Sequence, residues 1–205
     1  LGDQFTLVAL PWLVLKLTGN PAALGLVLAA MALPRALFML IGGALVDRLS
    51  PRRVLLAARG VNALLVALLA ALVLLGDIRM WLVYLIALGI GLSTAFAYPA
   101  GSAILPQLVR KDQLQPANAL VMGMRQLSMF VGPALAGVVI SLGAHGVHDA
   151  NVQKMQDASG LGLAFSIDAI SFLFSLGSLL LIRIHSDFHP KAVVGGVLSN
   201  IASGV

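Results

Sequence analysis

Four charged side chains stand inside otherwise apolar stretches of this sequence: Asp3, Arg35, Arg125 and Asp168. A charge at the centre of a spanning helix costs about 2.5–3.5 kcal/mol on insertion scales, so such residues are expected to face a bundle interior or a wet cavity and to find partners. An acid held there can exchange a proton or receive a cationic substrate, because a neighbouring charge or loss of water shifts its protonation. The same groups can instead form a static ion pair that locks helices together. Asp3 is read both ways, the two arginines as structural partners, and Asp168 as a cap or lining of the outer end of its helix.

A second cluster runs from Gly43 through Asp47, Arg48, Arg52 and Arg53. It is wedged between two long apolar runs, each with one interior charge, Arg35 before it and Arg59 after it. This is the pattern of a helical hairpin turning at one bilayer face, and its arginines mark that face as cytoplasmic. A third pattern, Gly132-Pro133-Ala134-Leu135-Ala136-Gly137, sits past the middle of an apolar run. Pro133 removes a backbone hydrogen bond and the small residues allow close helix contact, giving either a bend that seals the outer half of a transport path or an ordinary kinked helix.

The elements that hold these groups follow from composition. Of the 205 residues 60% are hydrophobic and 10% charged, and mean hydropathy is +1.00. A soluble domain carries about a quarter charged residues, so this chain cannot cover a water-facing surface and is an all-α membrane protein. The net charge of +5 lies mostly in loops and reports orientation rather than nucleic-acid binding. All acids are Asp, and with no cysteine disulfides and thiolate metal sites are excluded. Asp3 interrupts the first residues and no small-residue cleavage site follows a basic region, so they do not read as a signal peptide. The absent initiator Met and abrupt end suggest a fragment.

Six segments reach or approach the roughly 20 apolar residues a spanning helix needs. The first runs from before Leu1 to about Leu17 and is short. Thr18-Gly19-Asn20-Pro21 is a turn, and the second helix follows from about Ala22 to Val46. The third covers about Arg53 to Leu75 and ends at the Gly76–Arg79 turn. The fourth lies between Arg79 and Arg110, with Pro99 and Pro106 able to kink or end it. Arg110-Lys111-Asp112 is a charged turn, and the fifth runs from about Gln115 to Leu142. A polar loop is expected over 143–160, then a sixth helix from about Leu161 to Ile182. The bundle is thus 1–182, with 183–205 a mixed tail.

Arg48, Arg52, Arg53, Arg59, Arg110, Lys111, Arg183 and Lys191 fall on one side, and only Lys16, Arg79 and Lys154 on the other. The rich side is expected to be cytoplasmic, with both ends of the chain inside. Helices one and five then run outward, which sets Asp3 and Arg125 at compatible depth. An Asp3–Arg125 pair is expected first, and Asp3–Arg35 second. Enzymatic signatures are absent: no HExxH, no GxSG and no Walker A sequence. His145 and His148 could pair as metal ligands, but they lie in the loop, where a solvated role is expected. No metal or cofactor is expected.

On these residues the chain resembles the major facilitator superfamily. Gly43, Asp47, Arg48, Arg52 and Arg53 match its motif A, Gly-x-x-x-Asp-Arg with a following basic pair. Ser50 stands where a second Gly is usual, and Pro51 moves the pair one place on. Leu1 to Phe5, Ala32 to Arg35, Leu105 to Val109 and Ala117 to Leu120 look like the drug and siderophore exporters, including enterobactin exporters and macrolide efflux pumps. Gly132, Pro133 and Gly137 are similar to the antiporter motif C, with Ser128 and Ala136 in place of glycines.

The resemblance implies the six-helix N-terminal half of a twelve-helix transporter, followed by the start of its central cytoplasmic loop. It implies alternating access by rocking of two halves, with the missing C-terminal half, the lipid bilayer and a small-molecule substrate as partners. In the family the motif A acid, here Asp47, latches onto a helix N-terminus of the other half. Without that half, Asp47 is expected to be exposed or paired with local arginines. The expected activity is proton-gradient-driven export of small amphipathic molecules such as drugs, macrolides or siderophores across a bacterial-type cytoplasmic membrane. The alternatives are a facilitated-diffusion uniporter or importer, and a non-transporting scaffold or assembly subunit.

Overall fold

The computed structural model describes residues 2–144 and 150–181, without the side chains of 2, 47–48, 143–144 and 150–159. The described residues form six α-helices: α1 Gly2–Thr18, α2 Pro21–Arg48, α3 Pro51–Leu75, α4 Met80–Leu108, α5 Leu114–Ala144 and α6 Ala150–Leu181. A single 3₁₀ turn, Lys111–Gln113, leads into α5. No strand occurs among the described residues. Five stretches are long and apolar enough to cross a membrane: Pro21–Val46, Pro51–Leu75, Met80–Leu108, Lys111–Leu142 and Gly160–Leu181. α1, at 17 residues, falls just short. The protein is a multi-pass membrane protein, and the lipid bilayer is its solvent.

Turn chemistry sets the boundaries. Asn20 caps α2, accepting the Ala22 N–H at 2.9 Å, with Pro21 as the first helical residue. Ser50 caps α3 in the same way, accepting from the Arg53 N–H at 3.3 Å, again before a proline. An oxygen cap followed by proline starts a helix because proline's missing N–H falls where no intrahelical partner exists. α3 ends at Gly76, whose φ of +76° lets the Asp77 N–H reach back to the Leu72 carbonyl at 3.1 Å, closing a Schellman turn.

Two boundaries differ from those expected. The charged cluster is not a loop: α2 continues through Arg48, α3 begins at Pro51, and only Leu49 and Ser50 connect them. The polar segment expected over 143–160 is helical from Ala150. Residues 150–159 contain no Gly or Pro and include Ala, Gln, Lys and Met, all good helix formers. Their polarity keeps them out of the apolar span, which starts at Gly160, but does not stop the helix. Pro99 and Pro106 both lie inside α4, and neither ends it.

α2 packs on α4, α3 on α4 and α6, and α1 and α6 each on α5 and on one another. α3 and α4 are the innermost, with 39% and 44% of their spans buried against 11% for α2 and α5. The main core joins Phe5, Leu10, Leu69, Val83, Phe165 and Phe172 with their neighbours. A smaller cluster of Val46, Val54, Leu55, Ala100 and Ile104 closes the end that carries the motif A residues. Lipid offers no apolar drive between helices, so close approach has to come from small residues. A Cβ on Gly91 of α4 would overlap the backbone carbonyl of Met31 on α2. One on Gly42 would lie 2.6 Å from the Ala95 carbonyl oxygen.

Candidate functional site

The intramembrane charges form two separate groups. The first lies between α1, α3 and α6. Asp3 meets Arg59 of α3, with Oδ1 and Nη1 3.7 Å apart and side chains 61% and 32% exposed. Arg59 also sits 5.5 Å from the centroid of the Phe172 ring on α6. Three residues along α1 from Asp3, and so on the same helix face, the Thr6 hydroxyl donates to Oδ2 of Asp168. Asp168 is fully buried, and its Oδ1 has no hydrogen-bond partner. Asp168 is thus neither a cap nor an outer-end lining; it is a core residue tied to α1.

The second group lies between α2, α4 and α5. The Arg35 guanidinium carbon is 4.3 Å from the centroid of the Tyr98 ring, and that of Arg125 is 5.2 Å from the same centroid. Cations over an aromatic face are attracted by the ring quadrupole within about 6 Å. The expected Asp3–Arg125 pair does not form, nor does Asp3–Arg35. Depth alone suggested those pairs, but Asp3 projects toward α3, whereas both arginines turn to the α4 tyrosine. The partner sequence reasoning missed is Arg59. Its position more than two turns into α3 is the available signal.

The motif A residues divide. Gly43 lies within α2. Arg53 is exposed, and its backbone takes part in the Ser50 cap. Arg52 reaches across to α6, where Nη2 donates to the carbonyls of Leu179 and Leu180, each at 3.0 Å. Those carbonyls lie on α6, so the Arg52 guanidinium ties the first turn of α3 to that helix. The side chains of Asp47 and Arg48, and with them the expected exposure or local pairing of Asp47, lie outside the described residues.

In the α5 motif, Gly132 faces α1: a Cβ there would stand 2.5 Å from Gln4 Cβ. Pro133 is partly buried and Gly137 exposed, with open space where its Cβ would go. A buried pair without precedent in the sequence reading is Ser93 of α4, whose hydroxyl bonds Oδ1 of Asn62 on α3. No group of three His, Cys, Asp or Glu suited to a metal occurs among the described residues; His145 and His148 lie outside them.

The profile of the transmembrane secretion effector family matches residues 1–194. The chain is 34% identical over 146 residues to the multidrug efflux pump Tap of Mycolicibacterium fortuitum, covering 68% of this chain and 36% of that protein. It is 27% identical over 125 residues to macrolide efflux protein A of Streptococcus pyogenes, with 61% and 31% covered. It is 28% identical over 136 residues to the enterobactin exporter EntS of Citrobacter koseri, with 66% and 33% covered. The matched region thus amounts to about a third of the length of these relatives. No solved structure matches significantly. A family match running through nearly the whole chain, on a bundle of apolar helices joined at the Ser50-Pro51 turn, places this protein in the major facilitator superfamily, as a member of its transmembrane secretion effector family.

Proposed function

We propose that this chain forms the N-terminal six-helix half of a proton-coupled exporter of small amphipathic molecules, working by alternating access with a second half. The observation that carries the reading is that relatives in three groups of bacteria are named for efflux or export. The broad faces of α2 and α5, only 11% buried, are where a second half and a substrate path are placed. The end bearing Arg52 and Arg53 is assigned to the cytoplasm, following the excess of Lys and Arg there.

Two acids support proton coupling. Asp3 is paired with Arg59, and Asp168 is held by Thr6 with its other oxygen unpartnered. Both are tied to one face of α1, so a change at either is felt by the same helix. Ionisable groups at this depth are the usual material of proton relays. Asp47 is assigned the latch role at the cytoplasmic end. A carboxylate at a helix N-terminus gains roughly 0.3–1 kcal/mol, up to about 2 when partly buried, which is sufficient to bias two states of similar energy.

The test is dye efflux by the full-length protein in vesicles with an imposed proton gradient. Gradient-driven efflux is expected to fall to passive leak when a protonophore is added. Asp3→Asn and Asp168→Asn are expected to cut it at least tenfold while downhill exchange persists. Transport indifferent to the gradient would instead indicate facilitated diffusion, and a folded full-length protein that moves nothing would indicate a scaffold. Asp47→Ala is expected to shift the inward/outward balance measured by spectroscopic distances between the two halves.

A further inference from the structure

Arg35 and Arg125 present a different chemistry from the acids. They come from different helices, α2 and α5, and converge on one ring, Tyr98 of α4. Their guanidinium carbons are therefore no farther apart than the sum of their two distances to the ring centroid. Among the described residues neither has a carboxylate within ion-pair distance. Asp3 is engaged by Arg59, Asp112 by Arg110 and Asp168 by Thr6. Both arginines are exposed on the described bundle; two like charges gathered on one ring repel, and the ring quadrupole offsets only part of that. Among the described residues no carboxylate neutralises the two guanidinium groups.

We propose that Arg35, Arg125 and Tyr98 form an anion-binding subsite for a transported molecule that carries a carboxylate on an aromatic or aliphatic body. The proposal rests on the transport reading and narrows its substrate class. Two guanidinium forks match the planar oxygens of a carboxylate, and the Tyr98 ring holds both of them on one residue. Phe38, nearly one turn along α2 from Arg35, and Met122 and Met129, one turn to either side of Arg125, are exposed. They offer an apolar, adaptable surface for the body of the molecule. Arg35 lies roughly 20 Å of helix from either end of α2, near the middle of its span. That depth favours a diffusible anion over a lipid headgroup, which stays at the interface.

The experiment measures equilibrium binding of tritiated 1-naphthoate, its methyl ester and 1-naphthylmethylamine to the full-length protein in phosphatidylcholine nanodiscs. The acid is expected to bind at least tenfold more tightly than the ester or the amine. Arg35→Gln and Arg125→Gln should each remove that preference while leaving ester binding unchanged, and the corresponding Lys variants should retain part of it. Ester binding and a monodisperse elution profile establish that the variants are folded. Equal affinity for acid and ester, or a preference that survives in the double Gln variant, would overturn the proposal. So would competition by phosphatidylglycerol added to the nanodiscs, which would transfer the site to lipid. Binding is read without transport, so an anion preference in a protein that exports nothing would refute the export reading and leave the subsite standing.

Discussion

The Thr6 hydroxyl donates to Asp168 across 162 positions of sequence, joining the first helix of the bundle to the last inside its core. Thr6 is 5% exposed and Asp168 fully buried, so water cannot replace the bond. Thr6→Val keeps the volume and removes the donor, leaving both carboxyl oxygens of Asp168 without a partner. A buried polar group left unsatisfied costs about 1–3 kcal/mol, and more when charged. The melting temperature of the purified full-length protein is expected to fall accordingly, and Thr6→Ser to restore most of it. An unchanged melting temperature in Thr6→Val would show that the bond carries no stability.

The Asp3–Arg59 pair is expected to behave differently. Both side chains are partly exposed, and where a wet cavity reaches such a pair it is worth about 0–1 kcal/mol. A double-mutant cycle with Asp3→Asn and Arg59→Gln should give a coupling energy in that range. The same cycle between Asp3 and Arg125 should give none. Coupling confined to Asp3 and Arg125 would contradict the arrangement of α1 against α3.

These two cases show what the sequence carried and what it did not. Helix number and most turns were legible because they are local: apolar length marks each span, and Asn20-Pro21, Ser50-Pro51 and Gly76 punctuate the chain by their own chemistry. Depth was legible too, since it follows from distance along a helix. Direction around the helix axis was not. Segments such as α2 and α4 are apolar on nearly every side, so no polar face announces which neighbour a residue meets. Asp3 was therefore placed at a workable height but given the wrong partner, and Arg35 and Arg125 were not seen to share Tyr98. Asp168 was misjudged for the same reason, because its burial depends on α1 lying beside α6. The helical course of 150–159 was hidden by polarity, which marks exit from the membrane and says little about helix continuity.

The α2–α4 contact sets up a comparison among glycines. Gly91 and Gly42 leave no room for a methyl group against the backbones of Met31 and Ala95, whereas Gly101, also on α4, has open space where its Cβ would go. Backbone cannot move aside as a flexible side chain can, and overpacking a tight contact typically costs about 1–3 kcal/mol. Gly91→Ala and Gly42→Ala are expected to lower the melting temperature and the yield of monodisperse protein. Gly101→Ala should match the parent or slightly exceed it, since alanine is the better helix former. Equal behaviour of all three variants would mean that α2 and α4 do not approach this closely.

Arg52 supplies the last test. Its Nη2 bridges the carbonyls of Leu179 and Leu180 from the first turn of α3, so the basic pair of motif A does more than mark a membrane face. It ties the start of α3 to α6. A hydrogen bond from a charged donor contributes about 1.5–3 kcal/mol. Arg52→Gln should therefore speed amide hydrogen exchange around Leu179 and Leu180 of α6 and lower stability by about 1.5–3 kcal/mol. Arg52→Lys, with one ammonium in place of the planar fork, should fall between. Arg53→Gln is the control: Arg53 is exposed, and the part it plays in the Ser50 cap comes from its backbone N–H, which the substitution keeps. Exchange in α6 that responds equally to both substitutions would point to a general charge effect and refute the specific bridge.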